Sequence, residues 1–120
     1  MKKSQNKSQN KSTTKRLKAR STVRSQVRKQ LAEWSVAIRT RDKHVCALCG
    51  RSEHLNAHHI LPKKFFPDVQ FEMWNGISLC PKCHTFGKFS AHKNGVFFSE
   101  WLKHSRPEQY EEVVNHINVT

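Results

Sequence analysis

Cys46-Ala-Leu-Cys49 and Cys80-Pro-Lys-Cys83 bracket the stretch that decides this chain. Between them stand Ala57-His58-His59-Ile60 and Trp74-Asn75-Gly76, and His84 follows the last cysteine directly. Two cysteines separated by two residues can turn both sulfurs toward one ion, and two such pairs supply the four thiolates of a tetrahedral Zn²⁺ site. Cys46, Cys49, Cys80 and Cys83 are therefore read as structural zinc ligands. A redox pair would require a thioredoxin-like βαβ context that the sequence lacks. Four thiolates close the metal's coordination shell, so any chemistry must fall to other residues.

Working outward, Leu55–Ile60 reads as a short strand. Adjacent residues of a strand face opposite sides, which separates His58 from His59. Pro62 ends the strand, and 63–70 reads as a loop with Phe65, Phe66 and Pro67 packed beneath it. A second strand is expected over 71–79, interrupted by a turn at Asn75-Gly76. A helix is expected to begin at Pro81 and to carry His84 in its first turns. The zinc site would then bring His84 toward His58, making a second metal position with room left for water and phosphate. Further helices are expected over 97–104 and 107–117, the latter with Pro107 at its first position.

Upstream, Val23, Val27, Leu31, Trp34 and Ile38 recur at helical spacing. They predict an amphipathic basic helix over 20–43 that packs on the zinc domain through Trp34. Residues 1–19 are Lys, Ser, Gln, Asn and Thr rich and read as a disordered basic tail. The domain plan is thus tail (1–19), helix (20–43) and metal-stapled domain with C-terminal helices (44–120).

Charge follows the same division. The chain has 120 residues and net charge +13, and residues 1–30 hold 11 of the 22 Lys+Arg and no acidic residue. Such a single-sign field favours a polyanion. Mean hydropathy is −0.76, and no apolar run reaches the length of a membrane span or signal peptide. A cytoplasmic protein with reduced thiols, and no membrane partner, is expected.

The set Cys46-x2-Cys49, Ala57-His58-His59-Ile60-Leu61-Pro62, Asn75-Gly76-Ile77-Ser78-Leu79-Cys80 and Cys83-His84 resembles the HNH endonucleases, the ββα-metal nucleases. The likeness spans about residues 44–92, and Ser90-Ala91-His92-Lys93-Asn94 with Trp101-Leu102 are similar to small phage-encoded members. The resemblance implies an α+β fold: a small zinc-stapled, treble-clef-like ββα-metal core flanked by helices. It implies His59 as general base and Asn75 as the residue fixing the loop that orients it. His58 and His84 become ligands of a catalytic divalent ion, with His92 a candidate third ligand despite its longer spacing. Mg²⁺ or Mn²⁺ is the implied ion, and imidazole donors also suit Ni²⁺ or Zn²⁺. DNA is the implied substrate. By their charge and position, Lys63, Lys64, Lys88, Lys93, Arg24 and Arg28 are candidate phosphate contacts, with ordinary solvated surface residues the alternative reading.

A phage terminase is among the protein partners such small nucleases have, and the oligomeric state is open. The competing reading from the residues is a non-catalytic zinc module that binds DNA or RNA through the basic tail. A ribonuclease of the same fold is a third.

Overall fold

The computed structural model describes the backbone of residues 2–119 and the side chains of residues 14–119. The chain divides into two units, 1–32 and 33–120. The first helix, α1 (Lys2–Arg41), runs through the boundary between them. The disorder expected for 1–13 lies outside the described side chains. Residues 14–19 are helical and exposed, so the break expected at residue 20 is absent. Leu17, Lys18 and Ala19 are good helix formers, with no Gly or Pro among them. In the first unit Val23 stays exposed. Within the second, Trp34 and Ile38 are buried, so of the expected apolar stripe only this end is fully covered.

The sheet of the second unit is an antiparallel pair, β1 (Asn56–His59) and β2 (Gly76–Leu79), with His58 opposite Ile77 and His59 opposite Gly76. Every residue of β2 is buried. Two further helices, α2 (Gly95–Ser105) and α3 (Pro107–Val119), follow. Phe98 and Leu102 of α2 join Ile77, Leu79, Cys46 and Cys80 in one core. Val113 of α3 joins Leu61 and Val69 in a second. Asn94 caps α2 by accepting the Phe97 N–H through its side chain.

Several expectations change. Residues 71–75 are not strand: Met73–Asn75 is a 3₁₀ turn that leads into β2. Gly76 is not a turn residue, since its backbone is extended (φ −132, ψ 152). Glycine is needed there for space. A Cβ would run into the Trp34 and Ile38 side chains. Finally, the helix expected from Pro81 is a single π turn, Lys82–Phe86, closed by the Gly87 N–H donating to the Lys82 carbonyl at 2.8 Å. Phe66 packs under its loop as expected, but Pro67 is exposed and Phe65 stands 72% exposed.

Asp42 ties three elements together at the end of α1. Its carboxylate accepts the Ser78 N–H of β2 at 2.8 Å and pairs with Arg41 at 2.9 Å and Arg106 at 3.0 Å. The Arg41 guanidinium also donates to the Gly76 carbonyl, and Gln109 of α3 reaches the same oxygen at 2.7 Å. Among the described residues no helix is long and apolar enough to cross a membrane.

Candidate metal centres and cleft

The two cysteine pairs converge as their spacing predicts. All four sulfurs lie within 4.8 Å of one another, and Cys49 Sγ is 3.6 Å from Cys80 Sγ. Zn–S bonds of ~2.3 Å at tetrahedral angles require about 3.8 Å between sulfurs, so the donor set fits Zn²⁺. Local backbone explains the shape. Gly50 takes a positive φ of 79 and donates its N–H to the Cys46 carbonyl at 2.8 Å, which turns the first pair inward. The Ala47 N–H donates to the Ser78 carbonyl and anchors this pair to β2.

Crowding splits the thiols. Burial pushes Cys83 up, and its sulfur neighbours add to the effect. Burial also works to raise Cys80, but the Cys83 N–H and the adjacent thiols outweigh it and bring Cys80 down to about 7. Four such groups cannot all ionise beside one another without a cation among them.

The second cluster is His58, His84 and His92, whose ring nitrogens also lie within 4.8 Å. His84 and His92 Nε2 are 3.0 Å apart, and the ring centroid of His58 sits 5.1 and 5.0 Å from theirs. An ion with ~2.1 Å bonds to two adjacent nitrogens would separate them by about 3 Å, so the histidines fit a transition-metal ion. His58 is buried edge-on against Phe98. That burial, reinforced by His84 and His92, lowers its pKa to about 3. His84 is lowered by burial and then by His92. Both rings are neutral at physiological pH, the form that binds metal.

His92 lies eight positions after His84, farther than a helical turn. The chain spans that gap with a loop. The Ala91 N–H donates to the Cys83 carbonyl at 2.8 Å and the His92 N–H to the His84 carbonyl at 3.2 Å. Buried Ser90 braces the loop, its hydroxyl donating to the Thr85 carbonyl and accepting the Lys93 N–H. Sequence reasoning missed Ser90, whose signal was only its place beside Ala91-His92.

His59 faces the other side of β1. Its ring stacks on Trp34 with centroids 4.0 Å apart and planes 12° from parallel. Gly76, directly opposite, provides the room for Trp34, whose Nε1–H donates to the Glu72 carbonyl at 3.0 Å. His59 Nε2 is 2.9 Å from the Gln70 carbonyl. A carbonyl can only accept, so the neutral ring carries its proton on Nε2 and keeps a free lone pair on Nδ1. Burial lowers the His59 pKa and Lys63 adds to this, while the Gln70 carbonyl works to raise it. Neither Trp34 nor the Gln70 carbonyl was assigned this contact from sequence.

Asn75 is fully buried and fastens the loop after β1. Its Oδ1 accepts the Leu61 N–H at 2.7 Å, and its Nδ2 donates to the Leu61 and Val69 carbonyls at 3.1 Å each. The loop so held ends at Gln70, the residue that accepts from His59.

All four histidines border one cleft of about 610 Å³, together with Lys63 and Lys64. The other expected phosphate contacts divide. Lys93 is committed to the Phe86 carbonyl at 3.1 Å, and the Lys88 ammonium lies over the Phe89 ring at 5.2 Å. Arg24 and Arg28 are exposed on the first unit, where Arg28 donates to Ser25 Oγ.

Residues 46–86 match the family described as HNH endonuclease. No curated protein and no solved structure matches the chain.

Proposed function

Taking residues 46–86 as an HNH endonuclease domain, we propose that this chain is a metal-dependent endonuclease that hydrolyses DNA phosphodiester bonds. The single observation that carries this reading is the pairing of a three-histidine cluster with a fourth, separately oriented histidine on one cleft.

His58, His84 and His92 would hold a divalent ion, which would supply positive charge to the phosphodiester as it is cleaved. His59 Nδ1 takes the proton of the attacking water. The Gln70 carbonyl, accepting from Nε2–H, stabilises the imidazolium that results. Asn75 is a positioning residue: it holds the 61–70 loop and thereby the carbonyl behind His59. Lys63 and Lys64 border the cleft and are suited to phosphate oxygens. The products carry 3′-hydroxyl and 5′-phosphate ends, as the family resemblance implies. One such cleft per chain makes a nick the product of a single copy.

The test is supercoiled plasmid incubated with wild type and His59→Ala, each with Mg²⁺, Mn²⁺, Ni²⁺ or EDTA. Metal-dependent nicking by wild type, with His59→Ala reduced by ~10²-fold or more, is the expected result. Equal nicking by both proteins sinks the role of His59. No nicking with any metal, while zinc is bound and DNA is still shifted on a gel, favours a binding module.

A further inference from the structure

The lysines of the second unit are not scattered. Residues 33–120 carry 11 basic and 9 acidic residues. Five of the 11, and none of the 9, fall in segments 54–67 and 82–99, which leaves six against nine elsewhere. These segments hold Lys63 and Lys64, which border the cleft, and the loop between His84 and His92. Positive charge is therefore concentrated on these two segments beside the histidines, with Asp68 the one carboxylate on the 61–70 loop.

The same loops expose phenyl rings. Phe65 is 72% exposed, Phe86 72% and Phe89 52%, in a domain whose cores are small. Two of the rings have an ammonium against them, and the third has one at its backbone. Lys64 Nζ lies 5.7 Å from the Phe65 centroid and Lys88 Nζ 5.2 Å from that of Phe89. Lys93 Nζ is bonded to the Phe86 carbonyl. The Phe89 ring is supported by Phe97 at 5.1 Å, and Ser90 with the backbone bonds from Ala91 and His92 fixes the loop that carries it.

A phenyl ring has no donor or acceptor, so it cannot read base edges in a groove. It offers a face, and a nucleobase offers its own face only where it is not enclosed in a base-paired stack. Aromatic faces interleaved with single-sign positive charge are the chemistry of unpaired nucleic acid. A protein partner covering these rings would also have to neutralise five lysines that have no acidic neighbour in either segment.

We propose that Phe65, Phe86 and Phe89, with their lysines, form a stacking surface for unpaired bases, so that the chain selects DNA with unpaired bases beside the scissile phosphate over continuous duplex. The inference rests on the nuclease reading for its substrate but makes a claim about binding alone.

The experiment measures binding by full-length, zinc-loaded protein with no other divalent ion added, so that the DNA stays intact. One labelled oligonucleotide is offered as a single strand, as a gapped duplex with 2-aminopurine in the gap, and as continuous duplex. Wild type is expected to bind the first two at least ~10-fold more tightly than the third and to quench 2-aminopurine. Phe65→Ala and Phe89→Ala, both at exposed positions, should keep the wild-type melting temperature. Each should lose about ten-fold on unpaired substrates and under two-fold on duplex. Lys64→Ala should weaken all three forms alike. Equal affinity for all three forms, equal losses of the Phe variants on gapped and continuous DNA, or unquenched 2-aminopurine overturns the proposal. A preference for unpaired DNA without cleavage in any metal would instead remove the nuclease reading and leave this one standing.

Discussion

His84 Nε2 and His92 Nε2 lie 3.0 Å apart across a loop that brings together residues eight positions distant in sequence. The contact makes His92 a full member of the histidine cluster, and replacing it should be felt first there. His92→Ala is expected to weaken Co²⁺ or Mn²⁺ binding at this cluster by at least about ten-fold, since even partners one step removed from a metal cost 10–100-fold. Zinc content, measured by elemental analysis, should stay at the wild-type value. Unaltered affinity for the second ion would exclude His92 as a ligand.

The second cluster contains three imidazoles and no carboxylate among the described residues. Nitrogen donors of this kind suit Mn²⁺, Co²⁺, Ni²⁺ or Zn²⁺ better than Mg²⁺. Cleavage is therefore expected to reach half its maximum at lower Mn²⁺ or Ni²⁺ than Mg²⁺ concentration. A titration in which Mg²⁺ is the strongest activator would contradict this assignment.

Asn75 satisfies three backbone groups from a fully buried position. Asn75→Ala leaves the Leu61 N–H and carbonyl without those partners, at about 2–4 kcal/mol of stability in denaturant unfolding. Cleavage should fall further than the folded fraction does, because the loop carrying Gln70 also loosens. Activity that tracks the folded fraction would confine Asn75 to a structural part.

Gly76→Ala tests whether this glycine is needed for space rather than for turning. The new methyl would meet Trp34 and Ile38, and overpacking of this kind costs about 1–3 kcal/mol. Trp34 fluorescence should shift with it. Gly95→Ala, where an added Cβ meets nothing within 4 Å, is the control and should not lower stability.

Asp42 predicts a pH dependence. Burial works to raise its pKa, but hydrogen bonds from Arg41 and the Ser78 N–H, with the charge of Arg106, hold it below the usual carboxylate value. Its contribution is therefore complete above the unfolded value of about 3.9 and is lost as pH falls through the lower folded value. Asp42→Asn should cost about 2–3 kcal/mol at neutral pH, the low end for a buried pair because both arginines keep some exposure. The gap between variant and wild type should close as melting is measured at progressively lower pH below 4. A constant gap would show that the loss is one of packing.

The elements legible in the sequence are those fixed by short spacing. Cys-x2-Cys dictates inward-facing sulfurs, period two sends His58 and His59 apart, and Pro107 starts α3. What escaped depends on contacts distant along the chain. Gly76 resembles a turn residue because Asn-Gly is a turn signal, and only Trp34, 42 positions earlier, reveals that the missing side chain is the point. His92 looked too far from His84 because backbone bonds that close a loop leave no periodic trace. Asp42 has no motif at all, and its role lies in three partners on different elements.

Cys83 and His84 are consecutive residues of one π turn, yet their side chains belong to different clusters. One peptide bond thus joins the two clusters. Any shift in the sulfur cluster that rotates Cys83 must also displace His84, and the His84 carbonyl in turn anchors His92. With an ion in each cluster, a coupling of their affinities would act equally in both directions. A chelator that strips the thiolates would then change the affinity of the histidines for an ion of their own, and an ion held by the histidines would change the affinity of the thiolates for zinc by the same factor.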